Sequence, residues 1–291
     1  MTQRLLSTVG RALTALTGPE LKEAIRLSEG RSLVAELVVT APPLVDGISN
    51  AELAAAFGAD ILLLNFYDVN HPTISGLPGA DARTVKTLCG RPVGINLEPS
   101  LRVPPGRRAT PENAQKAAEQ GVDLILITGN PETGVDTAGV IEAARSIRAA
   151  LGSRILLAAG RMHAAGVSAE AGADLTPVGA VRELSQVADI VLVPAPGTVP
   201  GMTVEAVRNL VQAVHQGGAL AMTAVGTSQE GADTETIRQI ALWAKMTGAD
   251  LHHIGDSGYQ GVALPENILA YSLAIRGRRH TYRRMAASIL R

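Results

Sequence analysis

One cysteine, Cys89, stands among 291 residues, so no internal disulfide can form and a reducing compartment is the natural setting. Cys89 precedes Gly90-Arg91-Pro92, where a helix is expected to end and a strand to begin, which argues against a catalytic thiol. Aromatic residues make up 2% of the chain, so any large core must be built from Ala, Val, Leu and Ile. Neither sign of charge is in excess. A formal net charge of −1 leaves no field to gather nucleic acid or an anionic membrane. No apolar run approaches the ~18 residues of a membrane span. Near the N-terminus Arg11 interrupts the apolar stretch and no small-residue cleavage site follows, so the expected location is the cytoplasm.

What the chain does have is rhythm. Leu5, Leu6, Val9, Leu13 and Leu16 fall at helical spacing, and a second helix is expected from Pro19 to Ser28, with Gly30 as its stop. Eight short apolar runs then follow, at 33–40, 60–65, 92–97, 124–128, 155–160, 190–194, 219–225 and 251–254. Each is followed by a loop and an Ala-rich helical segment, at 50–57, 82–88, 111–120, 138–151, 178–185, 204–216, 234–247 and 265–275. Most runs are continuously apolar, as expected of parallel strands covered on both faces. Gly58-Ala59-Asp60, Gly121-Val122-Asp123, Val187-Ala188-Asp189 and Gly248-Ala249-Asp250 repeat one punctuation, in which a small residue ends a helix and an aspartate enters a strand. Eight right-handed βα units close into a barrel, and the length suits that fold, which typically takes about 250 residues. The expectation is one α/β domain over 1–291, a (β/α)8 barrel at 31–291 with helices at 1–30 ahead of it.

In such a barrel the strand C-termini converge on one pocket. The polar residues there are Asn65 and Asp68, Asn96 and Glu98, Thr128 and Asn130, Arg161 and His163, Thr198, Thr227 and Ser228, and Asp256 and Ser257. Gly226-Thr227-Ser228 and Gly255-Asp256-Ser257-Gly258 leave backbone N–H groups exposed after strands seven and eight, where barrels often hold a phosphate. Glu98, His163 and Asp68 are the acid–base candidates. Asn65, Asn96, Asn130 and Arg161 would orient a substrate. Asp68, Glu98 and Asp256 are oxygen ligands suited to magnesium or manganese. Of His252 and His253 only one can face the pocket, because successive strand residues point to opposite faces. The loop at 98–110 carries Arg102, Arg107 and Arg108, and with the stretch from His163 to Pro177 it is long enough to act as a lid. The proline-rich segment 194–201 would form a stiff wall. The basic cluster 276–284 is expected to make subunit contacts or to be solvated. The first turn reads Thr40-Ala41-Pro42-Pro43, not a glycine fingerprint, so no nicotinamide cofactor is expected. Flavin mononucleotide is compatible, its phosphate using the same two loops.

Asn65, Asn96-Leu97-Glu98-Pro99, Thr128-Gly129-Asn130-Pro131, the segments 194–198 and 226–233, and the stretch 252–258 together resemble a bacterial barrel family. Its members are often labelled "haloacid dehalogenase-like hydrolase", and the resemblance covers nearly the whole chain. It implies the barrel. The Asp-x-Asp-x-Thr/Val motif of dehalogenase chemistry does not occur at the first strand, so the resemblance leaves the reaction open. More loosely the chain is similar to the phosphoenolpyruvate mutase and isocitrate lyase barrels, which use magnesium and carboxylates. The leading expectation is an enzyme acting on a small anionic, phosphorylated metabolite by lyase or isomerase chemistry, in a homo-oligomer. The alternatives are a metal-assisted hydrolase and a non-catalytic metabolite-binding barrel.

Overall fold

The apolar runs become strands that pair in chain order, all parallel, until the eighth closes on the first. They are β1 (Ser32–Val38), β2 (Ile61–Asn65), β3 (Val93–Leu97), β4 (Leu124–Ile127), β5 (Leu156–Gly160), β6 (Ile190–Pro194), β7 (Leu220–Val225) and β8 (Leu251–Ile254). The computed structural model describes residues 3–129, 131–162 and 177–291. Helices α1 (Arg11–Thr14) and α2 (Gly18–Arg26) precede the barrel. Around it lie α3 (Asn50–Ala56), α4 (Ala82–Cys89), α5 (Pro111–Glu119), α6 (Thr137–Leu151), α7 (Val178–Val187), α8 (Val204–Gln216), α9 (Thr234–Met246) and α10 (Pro265–Ala286). Side-chain caps start several of them: Ser49 with Glu52 forms a capping box on α3, and Asp81, Thr110, Asp136, Thr203 and Asp233 accept first-turn N–H groups. Among the described residues no helix is long and apolar enough to cross a membrane.

Strand parity sorts the core into two. One set, including Val34, Ile61, Leu63, Leu126, Leu156, Leu192, Met222 and Leu251, fills the barrel interior. The other set packs between strands and helices. The interior set also contains Leu5, Leu13, Leu21, Ala24 and Ile25, so the N-terminal segment plugs the lower mouth. That segment is not the continuous helix its leucine spacing suggests. Leu5–Ser7 is a 3-10 turn, and the chain breaks at Gly10, whose φ of 61° suits glycine. Arg11 then donates its backbone N–H to the Arg291 carbonyl at 2.7 Å.

The repeated aspartate punctuation turns out to be a clamp. Asp60, Asp123, Asp189 and Asp250 each donate a backbone N–H to the preceding strand, at Leu33, Val93, Leu157 and Ala221, over 2.8–2.9 Å. Each carboxylate accepts an N–H from that same residue at 2.8–3.0 Å. Even-numbered strands thus grip odd-numbered ones at the lower rim. A basic side chain completes each clamp: Lys86 on Asp123, Lys22 and Arg148 on Asp189, His215 on Asp250. Asp60 takes two, Arg276 and Arg284, both buried. This corrects the expectation for two members of the basic C-terminal cluster, Arg276 and Arg284, which turn inward on the chain's own aspartate, while Arg278, Arg279 and Arg283 are exposed. It also explains why α10 continues past 275: its two halves meet at Gly277 (φ 71°) and each half carries one of these arginines. Burial opposes ionisation of Asp60, yet the two arginines hold its carboxyl below the usual range.

Cys89 ends α4 with 5% of its surface exposed, and burial pushes its thiol up to about 12. Since the thiolate is the reactive form, the native protein should resist a thiol-reactive reagent such as DTNB at pH 8. Reaction should be stoichiometric once the chain is unfolded in denaturant. Rapid labelling of the native protein would contradict the burial.

Candidate functional site

The upper ends of the strands enclose an open cavity of about 740 Å³. Its floor comes from side chains with the inward parity of the barrel core. Glu36 continues the Val34 row on β1, Asn65 continues Ile61 and Leu63 on β2, and Asn96 sits on β3. Asn96 donates Nδ2–H to Glu36 Oε1. The other Glu36 oxygen lies 3.0 Å from His253 Nε2 on β8, out of line for a hydrogen bond, and both side chains are almost fully buried. His252, one residue earlier, faces the opposite way. It hydrogen-bonds Thr223 Oγ1 and the Gly30 carbonyl at 3.0 Å each beside the Tyr271 ring, and burial lowers its pKa to about 4.

Two more carboxylates enter from the loops after β7 and β8. Asp256 accepts Asn65 Nδ2–H at 2.7 Å, and Asn65 Oδ1 accepts the Phe66 N–H at 2.8 Å, which fixes the amide's orientation. Burial first, then the charge of Glu36, raises the Asp256 carboxyl to about 7. Glu230 is 1% exposed. Its Oε1 accepts the Ser257 N–H at 3.0 Å, and burial raises its pKa also. Gly255 makes room for it, since a Cβ there would lie 2.7 Å from Glu230 Oε1 and 2.9 Å from the Val225 carbonyl.

Across the barrel, the loop after β3 builds the other wall. Arg107 donates to Glu98 Oε1 at 2.6 Å and its guanidinium lies 4.2 Å from the centre of the Phe66 ring. Phe66 is 43% exposed and holds a left-handed φ of 64°, which presents its ring at the mouth. Arg102 lines the same wall, with one guanidinium nitrogen on the Glu132 carbonyl. Arg108 instead donates to Val103 and Leu101 carbonyls of its own loop.

Of the residues singled out from sequence, Asn65, Asn96, Glu98, Thr128, Gly226, Thr227, Ser228, Gly255, Asp256 and Ser257 line the cavity. Three do not. Asp68 accepts the N–H groups of Asn70 and His71, a local turn that keeps its carboxylate out of the cavity. Arg161 is buried beside Thr137 Oγ1 at 3.5 Å, and Gly258 packs against Gly231. Asn130 and His163 lie outside the described residues. Asp68, Glu98 and Asp256 are therefore not gathered as one ligand set. Among the described residues no group of three His, Cys, Asp or Glu side chains is placed to hold a metal ion. The β8 loop also differs from a free phosphate loop, because Ser257 has already given its N–H to Glu230.

Sequence reasoning passed over Glu36 and Glu230. Glu36 carried a signal: it is the one charge in the apolar strand Ser32–Val38, at the parity of Val34. Glu230 carried none, since a 3-10 turn at Gln229–Gly231 and a tertiary hydrogen bond bring it in.

A family model described as a domain of unknown function (DUF7916) matches residues 6–291. No curated protein shows significant sequence similarity to the chain. Among solved structures, a putative lyase/mutase from Burkholderia cenocepacia J2315 is 17% identical, with 94% of this chain and 97% of that one covered and a TM-score of 0.54. An archaeal fructose 1,6-bisphosphate aldolase is 15% identical, covering 88% and 98%, with a TM-score of 0.57. Dihydrodipicolinate synthase from Oceanobacillus iheyensis is 14% identical, covering 92% and 78%, with a TM-score of 0.53. At these identities the likeness is one of fold.

Proposed function

The chain belongs to the DUF7916 family, and we propose that it is an enzyme that moves a proton on a small anionic metabolite in a lyase or isomerase step. The observation that carries this reading is Asp256, a carboxyl in the cavity wall held by Asn65 and raised to about 7. Near neutral pH such a group is present both as acid and as base, the condition for proton transfer in either direction. Glu98, committed to Arg107, is a poorer candidate, and its part is to hold that arginine in place. An aldolase and a synthase share the fold, which is compatible with this class of reaction, but the residues carry the argument.

The substrate's anion belongs at the mouth. There Arg102 and the Thr227-Ser228 turn, both of whose residues hold left-handed φ, offer donors away from the acidic floor. A phosphate is the anion this wall would suit. Arg102→Ala should therefore weaken binding of an anionic ligand roughly tenfold, the scale of one charged hydrogen bond, as read by isothermal titration.

The reading is tested in two steps. Matched phosphorylated and unphosphorylated metabolites are screened by thermal shift, where a hundredfold excess over Kd stabilises by about 2.7 kcal/mol. Each hit is then incubated with the protein in D2O and followed by proton NMR. Enzyme-dependent loss of a C–H signal next to a carbonyl is expected. Hits that bind without exchange or turnover would leave a binding barrel and end the catalytic reading.

A further inference from the structure

The cavity floor holds more acceptors than donors. Glu36 from β1, Glu230 after β7 and Asp256 after β8 bring three carboxylates to it, and the basic group behind them is His253. Asn65 and Asn96 each spend an amide N–H on one of these carboxylates. Two acceptors remain, beside the His253 ring, whose Nδ1 and Nε2 are also buried without a hydrogen-bond partner among the described residues. Among the described residues, Asn96 Oδ1 and Glu230 Oε2 are buried with no hydrogen-bond partner, in side chains that line the cavity and are 6% and 1% exposed. A buried acceptor left unpaired costs about 1–3 kcal/mol, so two on one floor mark a place where a donor belongs. Water can fill such sites singly, but it brings no charge to offset whichever of these carboxylates are ionised. An anion is the group this floor would repel.

We propose that the floor seats a primary ammonium group of the substrate, between Glu36, Asn96, Glu230 and Asp256. An ammonium has three N–H donors and no acceptor, which matches a surface that has acceptors to spare. With the anion at Arg102 and the ammonium below, the substrate class is an amino-bearing anionic metabolite, an amino acid or an amino phosphate. The inference deepens the reading of this cavity as the substrate site and rests on it. The groups facing Asp256 are Glu36 on β1, Asn65 on β2, Asn96 on β3, Glu230 and His253, with the Glu98–Arg107 pair across the barrel and Arg102 at the mouth.

Methylammonium alone is the probe. The Asp256 carboxyl carbon is followed by NMR in protein labelled with 13C-aspartate, its signal assigned by its loss in Asp256→Asn. The titration is run in methylammonium chloride, sodium chloride and tetramethylammonium chloride at equal ionic strength. A cation held within contact distance lowers a carboxyl pKa by about one unit or more. Such a drop is expected in methylammonium, with no drop in tetramethylammonium, which has no N–H to give. Glu230→Gln should abolish the difference. Identical midpoints in all three salts, an equal drop in tetramethylammonium, or an undiminished drop in Glu230→Gln would each overturn the ammonium seat. The C–H exchange assay reads catalysis separately. A methylammonium shift without exchange keeps the seat and removes the reaction, and exchange on ligands lacking an amine does the reverse.

Discussion

Asp256→Asn is expected to lower turnover roughly 10²–10⁴-fold, the usual contribution of one positioned acid–base group, while making the protein more stable at pH 8. Both effects come from the same burial. The carboxyl is raised from 3.8 to about 7, so the folded state holds a proton that the unfolded chain has already released. Stability therefore falls as pH rises from about 4 to about 7, and the loss is complete above 7. Three units at about 1.36 kcal/mol each set an upper bound of about 4 kcal/mol. Solvent reaches part of this side chain, and screening brings the expected figure to about 2 kcal/mol. Asparagine keeps an acceptor for Asn65 and has no charge to bury. Its advantage in thermal melts should be near zero at pH 4.5 and largest at pH 8. No added stability at pH 8 would mean that the carboxyl is not raised. Undiminished turnover would remove it from the mechanism. A gain of stability with a loss of activity is the ordinary trade at a strained functional group.

Asp60→Asn has the opposite sign and acts at the other end of the barrel. Arg276 and Arg284 are both under 8% exposed and meet on this one carboxylate, which also accepts the Leu33 N–H. Removing its charge leaves two guanidinium groups buried without a counter-charge, a change that costs about 3–5 kcal/mol. For a chain of this size that is roughly 10 °C in Tm. The charged clamp works above the ordinary carboxylate pKa and weakens as pH falls through the depressed pKa of the folded state, so the deficit should narrow in acid. Asp250→Asn is the internal control. It keeps an acceptor for the Ala221 N–H, and its partner His215 has 42% of its side chain exposed, so the expected cost is under about 1 kcal/mol. Equal losses in the two variants would show that the clamp works through its backbone hydrogen bonds and not through charge.

These two residues show how unevenly the sequence speaks. Asp60 was conspicuous because its motif recurs four times, and repetition at strand entries is visible without coordinates. What the aspartates grip was not visible, because Arg276 and Arg284 lie 216 and 224 positions away from Asp60. Asp256 is visible as a polar residue at a strand end, but its sequence setting suggests a metal ligand beside a phosphate loop and not a buried carboxyl held by Asn65. Its neighbour Glu230 comes in through a turn with no periodicity, and Asp68 leaves the site through a local turn that no spacing rule foretells.

The eight-stranded barrel, its strand order and the face on which a site would form were determined by local properties: continuous apolar runs of strand length, glycine stops, caps and short connections. Such features act over a few residues and are written in the chain where they act. The polarity of the site was decided by tertiary structure alone. Whether a carboxylate is a base, a clamp or a salt-bridge partner depends on burial and on charges brought in by other strands. Glu36, Asn65, Asn96, Glu230 and Asp256 come from five separate segments, and only closure of the barrel places them around one cavity.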